Sequence, residues 1–113
     1  MRQISTIDST ANQSIYFASE SGNLVHFTFS FNPRQQAWFL DVESDNFNVY
    51  GLQICAHPNL LDKFHNLIDF GVAIITEDGQ DPWRLSDFED GYSIFYVLNK
   101  DEVKEVTELL DGK

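Results

Sequence analysis

The stretch LVHFTFSFNPRQQAWFLDV, residues 24–42, decides the fold. From Val25 to Phe31 every second residue is large and apolar, and the residues between them are polar. A period of two over the eight residues from Leu24 to Phe31 is typical of a strand with one face in a core. Pro33 interrupts the pattern, because proline cannot donate a ladder hydrogen bond, and the alternation then resumes in AWFLDV. The stretch predicts an antiparallel hairpin.

Similar patterns flank this hairpin. They are MRQISTI, SIYFASE, VYGLQICA, GVAIITE and GYSIFYVLN, and polar or glycine-containing turns separate them. Six to eight short strands of this kind predict a mainly β fold, a small antiparallel β-barrel or sandwich. GVAIITE and GYSIFYVLN are apolar on both faces, so each needs cover on two sides. For a chain this small, another subunit is one candidate for the second cover.

Two segments depart from the strand pattern. The first is an excursion near residues 58–68, where apolar residues from Leu60 to Ile68 follow helical spacing, so a short helix or compact loop is expected. The second is an amphipathic helix over residues 99–113. Asn99 precedes Glu102 by three positions, which is the capping-box pattern of a helix N-terminus. We expect a single domain, with a β-barrel or sandwich over residues 1–98 and the helix packed as part of it.

Composition narrows the classes of function. The 113 residues carry 18 acidic and 7 basic side chains, a formal net charge of −11, and the acidic residues concentrate from Asp69 onward. This charge argues against a nucleic-acid partner and against an anionic membrane surface, because phosphate contacts need Lys and Arg. No apolar run approaches the length that spans a bilayer, and no signal-peptide pattern begins the chain. The sequence therefore predicts a soluble protein made in a cytoplasm.

Candidate chemical groups are few. Cys55 is the only cysteine, which rules out an internal disulfide, and it is expected to be a small buried hydrophobe. Cys55 and His57 are two apart, and a zinc site would also need His65 to converge on them. His26 lies on the polar face of its strand, and DFED, residues 87–90, reads as an acidic turn. We expect no catalytic residue, no metal site and no cofactor.

The strand patterns also assign side chains to a core and to surfaces. The predicted core consists of Phe27, Phe29, Trp38, Leu40, Ile54 and Ile94. The predicted interaction residues are apolar side chains on the second faces of strands or along the helix stripe. They are Phe39, Tyr92, Tyr96, Val103, Val106 and Leu110.

The order of these motifs resembles a known family. An aromatic–Asn pair ends FTFSFN, a tryptophan leads AWFLDVESDNFNVYGLQI, HPNLLDKF follows, a glycine opens FGVAIITED, and LSDFEDGYSIFYV closes the series. Over residues 13–98 this resembles the small baseplate plug proteins of contractile-tailed bacteriophages, a family first named from a cyanophage. The helix after Asn99 lies outside the resemblance.

The resemblance implies a β-rich structural component of the virion tail baseplate, without enzymatic activity or cofactor. It implies synthesis in the host cytoplasm and a place on the tail axis, against the hub, the central spike and the tail-tube initiator. A symmetric homo-oligomer within the baseplate is also expected.

Two other functions remain open at the level of sequence. The net charge of −11 would suit an acidic binding module that mimics DNA and inhibits a nucleic-acid-binding protein. Exposed aromatic rings would suit a carbohydrate-binding module, although that reading needs coplanar exposed Trp or Tyr rings, and Trp38 is assigned to the core.

Overall fold

A computed structural model describes residues 2–19, 22, 24–45, 47–64 and 67–110. Within these ranges the elements are β1 (Arg2–Ile4), β2 (Asn12–Ala18), β3 (Leu24–Asn32), β4 (Ala37–Glu43), β5 (Asn48–Gln53), a 3₁₀ helix (Asp62–Phe64), β6 (Gly71–Thr76), β7 (Ser93–Leu98) and α1 (Lys100–Leu110). The predicted hairpin is β3–β4, with Phe29 opposite Leu40 and Phe31 opposite Trp38. The mainly β class and the C-terminal helix are confirmed.

The strands form two antiparallel sheets. Sheet A has the order β1-β7-β6, and sheet B has the order β2-β3-β4-β5. On one side the chain crosses between them: Ile54 N–H donates to Trp38 C=O at 2.8 Å, and Leu60 N–H donates to Val72 C=O at 2.6 Å. On the other side β1 and β2 are not paired with each other. The sandwich alternative is therefore confirmed and the closed barrel is wrong, because among the described residues no ladder joins β1 to β2.

The core lies between the inner faces of the two sheets. The side chains of Phe27, Phe29, Trp38, Leu40 and Ile54 are all completely buried in it. Sheet A contributes Phe95, whose ring meets Phe29 edge to face at 5.1 Å between centroids.

Ile94 does not share this core, contrary to the sequence prediction. Its neighbour Phe95 faces inward, and successive residues of a strand point to opposite faces. Ile94 is therefore half-buried on the outer face of sheet A.

A β-bulge distorts the β4–β5 pairing. Leu40 lies opposite Leu52 and Val42 opposite Val49, so Asp41 alone faces both Tyr50 and Gly51. Gly51 has a φ of 70°, which side chains other than glycine adopt at a cost. Its N–H donates to the Asp41 carboxylate at 2.7 Å. The bulge keeps Val49 and Leu52 packed against the core although two residues separate them.

The excursion near residues 58–68 starts along the outer edge of β6 and packs apolar side chains against the core. It contains the 3₁₀ helix Asp62–Phe64, which confirms a short helical segment, and Leu61 is completely buried. Asn59 is also completely buried, and its Oδ1 accepts hydrogen bonds from the N–H groups of Leu61 and Val72, at 3.1 and 3.0 Å. His65 falls outside the described residues.

The start of α1 has the predicted capping box. Glu102 N–H donates to Asn99 Oδ1 at 2.9 Å, and Asn99 N–H donates to Glu102 Oε1 at 3.0 Å. One turn further, Val103 is buried with Ala73 and Leu98 on the outer face of sheet A. The helix thus covers part of its own sheet.

Candidate interaction surface

The outer face of sheet A is apolar along β6 and β7, while exposed Gln3 of β1 lies on the same face beside Tyr96. The register places Ala73 beside Tyr96 and Ile75 beside Ile94, and directly paired residues share a face. The inner face of the same strands is also apolar, with Val72, Ile74, Phe95 and Val97 in the core. Sheet A therefore has two faces to cover, and sheet B covers only the inner one.

Helix α1 covers one end of this outer face. Val103 and Val106 pack on Ala73, Leu98 and Tyr96. Beyond the helix, Ile75 remains 49% exposed and Ile94 half-buried. The apolar stripe of α1 also continues past the sheet, since Leu109 is 72% exposed.

An aromatic–cation stack adjoins the uncovered end. Glu77 N–H donates to Tyr92 C=O at 2.8 Å, so Tyr92 continues the β6–β7 ladder and by alternation falls on the face of Ile94. The Arg84 guanidinium carbon lies 4.4 Å from the centroid of the Tyr92 ring and 4.8 Å from that of Trp83. Trp83 and Tyr92 are each 42% exposed. We call Ile75, Trp83, Arg84, Tyr92 and Ile94 the open face.

Asp87 holds this stack in place. Its buried carboxylate accepts hydrogen bonds from the backbone N–H groups of Trp83 and Arg84, at 2.8 and 2.9 Å, and from Arg84 Nε at 2.6 Å. Arg84 C=O in turn accepts a hydrogen bond from Trp38 Nε1 at 3.1 Å, which ties the turn to the core. Asp87 and Trp38 therefore anchor the Trp83–Arg84 part of the open face to the core.

The surroundings of the open face are acidic. Glu77, Asp78 and Asp81 are exposed on the turn that follows β6. The solvent side of α1 presents three exposed carboxylates and two exposed ammonium groups, those of Asp101, Glu105, Glu108, Lys100 and Lys104. An apolar centre with an acidic border is the pattern that a basic, apolar-centred protein surface would complement.

The groups singled out as candidate metal ligands have structural contacts. His57 pairs with Ile74 through both backbone groups, and its Nδ1 accepts a hydrogen bond from Asn59 N–H at 2.9 Å. Burial raises the pKa of the Cys55 thiol, and the nearby charge of Asp81 raises this pKa further. Among the described residues no three His, Cys, Asp or Glu side chains come together as metal ligands.

The other polar candidates also have partners within the fold. The His26 ring stacks on Tyr16 at 4.2 Å between centroids, and its Nδ1 lies 3.5 Å from Glu43 Oε1. Within DFED, Asp87 stabilises the turn described above, and Glu89 accepts a hydrogen bond from Ser9 N–H at 3.1 Å. These carboxylates serve separate parts of the chain.

A family model described as cyanophage baseplate Pam3 plug gp18 matches residues 1–100. The chain belongs to this family. The matched range contains all of β1 to β7 and stops at the first residue of α1. No curated protein matches the chain.

Membership in the plug family indicates where the protein is located and what kind of component it is. A baseplate plug is a structural component of the virion tail baseplate, and it associates with other baseplate proteins. No helix in the described ranges is long and apolar enough to cross a membrane.

The predicted interaction residues occupy four different environments. Phe39 is half-buried on the outer face of sheet B, and Tyr92 belongs to the open face. Tyr96, Val103 and Val106 pack between α1 and sheet A. Leu110, at the end of α1, is 41% exposed. Of these six predicted residues, only Tyr92 and Leu110 expose a large part of their side chains, 42% and 41%, to a partner.

Sequence reasoning missed most of the open face. Trp83 lies in DGQDPW, which reads as a polar turn, and Ile75 lies in a strand predicted to be buried on both faces. The adjacent Trp83-Arg84 pair is a usable signal, since Trp, Tyr and Arg are enriched at binding hot spots. A carbohydrate-binding module would need exposed, coplanar aromatic rings. The rings of Trp83 and Tyr92 both stack on Arg84, and Trp38 is completely buried, so these three rings do not form such a platform.

Proposed function

We propose that the chain is a non-enzymatic structural subunit at the central axis of a contractile-tail baseplate. In this role it packs against the hub, the central spike and the tail-tube initiator, after synthesis in the host cytoplasm. Family membership supports the baseplate setting. The observation that supports a packing role is the open face, an apolar area on the outer side of sheet A that α1 leaves uncovered.

The open face has the composition and rigidity of a binding hot spot. Trp83, Arg84 and Tyr92 are residue types that dominate binding energies, and their stack is already in place before a partner arrives. Side chains that already have their bound conformation lose little conformational entropy on binding, so more of the interaction energy contributes to affinity. The acidic border favours a partner with Lys and Arg around an apolar centre, and its contribution weakens as salt rises.

The test is incorporation into virions. Phage whose gene encodes Trp83→Ala or Ile75→Asp are compared with wild type, and the amount of this protein per purified virion is measured by mass spectrometry. We expect at least about a tenfold reduction, because loss of a hot-spot side chain costs about 2 kcal/mol or more and 1.4 kcal/mol is tenfold in affinity. The melting temperature of each purified variant is expected to stay close to that of wild type.

Tyr50→Ala is the matched control. Tyr50 is an exposed aromatic residue on sheet B, 60% accessible, and its loss is expected to leave incorporation unchanged. Wild-type amounts of Trp83→Ala and Ile75→Asp protein in virions would show that the open face is not the packing surface.

A further inference from the structure

The sheets have four outer edges in the described chain, and three of them are shielded from pairing with another strand. β6 is bordered by residues 57–60, where His57 pairs with Ile74. β1 is only three residues long. β5 is bulged at Gly51. Covered edges, short edges and bulges are the devices by which proteins avoid unwanted strand pairing.

The outer edge of β2 has none of these devices. Its seven residues pair with β3 in unbroken register, and no described strand pairs with its other side. Residues 9–19, STANQSIYFAS, contain no charged side chain and no proline, although the chain has a net charge of −11. A long, regular and uncharged edge is a template for strand addition.

The hydrogen bonds of β2 show which backbone groups are available. Phe31 N–H donates to Ala11 C=O at 2.8 Å, so the odd-numbered residues of this segment direct their backbone groups toward β3. The even-numbered residues then direct their N–H and C=O groups to the open edge. They are Asn12, Ser14, Tyr16 and Ala18.

We propose that this edge pairs with β2 of a second copy, antiparallel and around a two-fold axis at Ile15. Ser14 then lies opposite Tyr16, and Asn12 opposite Ala18, as hydrogen-bonded pairs that use the open backbone groups. Ile15 meets its own counterpart as the non-hydrogen-bonded pair on the axis. The two copies of sheet B become one continuous sheet.

A second copy fits this edge because its own residues 9–19 are equally uncharged, so the pairing places no like charges opposite each other although each chain carries a net charge of −11. A basic partner is drawn instead to the acidic C-terminal half. A groove between β1 and β2 leaves room beside the edge, and its lining includes the half-buried side chains of Ile4 and Ile15 together with polar residues and Arg2. This pairing uses the other sheet from the open face, so each holds or fails without the other.

The first measurement is the molar mass of the purified full chain by light scattering. Wild type is expected to have twice the chain mass. Ser14→Pro is expected to have half that value with an unchanged circular dichroism spectrum, because proline removes an N–H group from the open edge and none from the β2–β3 ladder. A monomeric wild type, or a folded Ser14→Pro that stays dimeric, would overturn the proposal.

The second measurement tests the register and does not depend on the proline variant. In a Cys55→Ala background, Ile15→Cys is expected to form a disulfide-linked dimer under mild oxidation, because a non-hydrogen-bonded antiparallel pair has its Cα atoms about 4.5 Å apart. Asn12→Cys is the matched control on the same strand. Its two copies would be six residues apart, about 20 Å, and are expected to stay unlinked. Equal cross-linking of both variants, or none in Ile15→Cys, would refute the pairing.

Discussion

Asn59 illustrates how one buried amide joins two parts of the chain. Its Oδ1 accepts the N–H groups of Leu61 and Val72, whereas its Nδ2 has no hydrogen-bond partner among the described residues. Asn59→Ala therefore strands two buried donors, each costing about 1–3 kcal/mol. We expect the free energy of unfolding in urea to fall by about 2–5 kcal/mol.

Asn32 provides the exposed counterpart of this experiment. Its Oδ1 also accepts two backbone N–H groups, those of Arg34 and Gln35, at 3.0 and 3.2 Å, but in the exposed β3–β4 turn. Water replaces the lost acceptor there, so Asn32→Ala is expected to cost less than about 1 kcal/mol. Equal costs at the two positions would contradict the role given to burial.

Cys55 yields a prediction of pH dependence. Burial raises the pKa of its thiol and Asp81 raises it further, so the folded chain holds the thiol proton to higher pH than the unfolded chain does. The thiolate is the reactive form of cysteine. The contribution of Cys55 to the free energy of unfolding falls as the pH rises above the pKa of the unfolded thiol, about 8.5. We expect labelling by a thiol reagent to be slower in the folded chain, with a midpoint at higher pH.

Asp81→Asn separates the charge of Asp81 from its hydrogen bond. The amide oxygen still accepts from Ala56 N–H, as Asp81 Oδ1 does at 2.9 Å, but the negative charge is gone. The midpoint of labelling is therefore expected to shift to lower pH. An unchanged midpoint would show that burial alone sets the pKa of Cys55.

Helix α1 combines two different surfaces in one element. Val103 is 6% exposed against sheet A, whereas Leu109 is 72% exposed. Val103→Ala is expected to lower the free energy of unfolding by about 1–3 kcal/mol, because it removes buried methyl groups and leaves a cavity. Leu109→Ala is expected to change it by less than about 0.5 kcal/mol. A larger loss from Leu109→Ala than from Val103→Ala in thermal or urea denaturation would contradict this division.

The helix and the strands differ in how far sequence determines them. The capping residues and the period-two runs specify local geometry, which is why α1, β3 and β4 were predicted close to their observed bounds. A strand that is apolar on both sides carries no such information about which face is inner. Ile94 was assigned to the wrong face for this reason, since only the packing of Phe95 against sheet B makes the choice.

At the scale of the whole molecule, the strands and α1 are expected to unfold together. Val103 is buried on the same sheet that supplies Phe95 to the core, so loss of the core removes the support of α1. In Trp83→Phe, fluorescence reports on Trp38 alone, and circular dichroism at 222 nm reports strongly on α1. We expect the two urea transitions to coincide. A separate, earlier transition of the helical signal would show that residues 99–113 form an independent unit.

Sequence determines the architecture of the whole molecule only in part. Alternating strands separated by turns suit a barrel and a sandwich equally well, and the choice depends on whether the last ladder closes. The family resemblance over residues 13–98 found its counterpart in the match over residues 1–100. Of the open face only Tyr92 was predicted, because Asp87 positions Trp83 and Arg84 through contacts within a turn, and a turn has no periodic pattern in the sequence.

The pairing of β1 with β7 has a consequence for biosynthesis. Each strand of sheet B pairs with its neighbour in the chain, so that sheet can assemble once Gln53 has left the ribosome. Ile4 pairs with Phe95, so β1 stays unpaired until β7 has been translated. From Gln53 to Phe95 there are 42 residues (95 − 53), which take about 2–8 seconds to add at about 5–20 residues per second. During that interval sheet A does not yet cover the rings of Phe27, Phe29 and Trp38, so the nascent chain is most prone to aggregate.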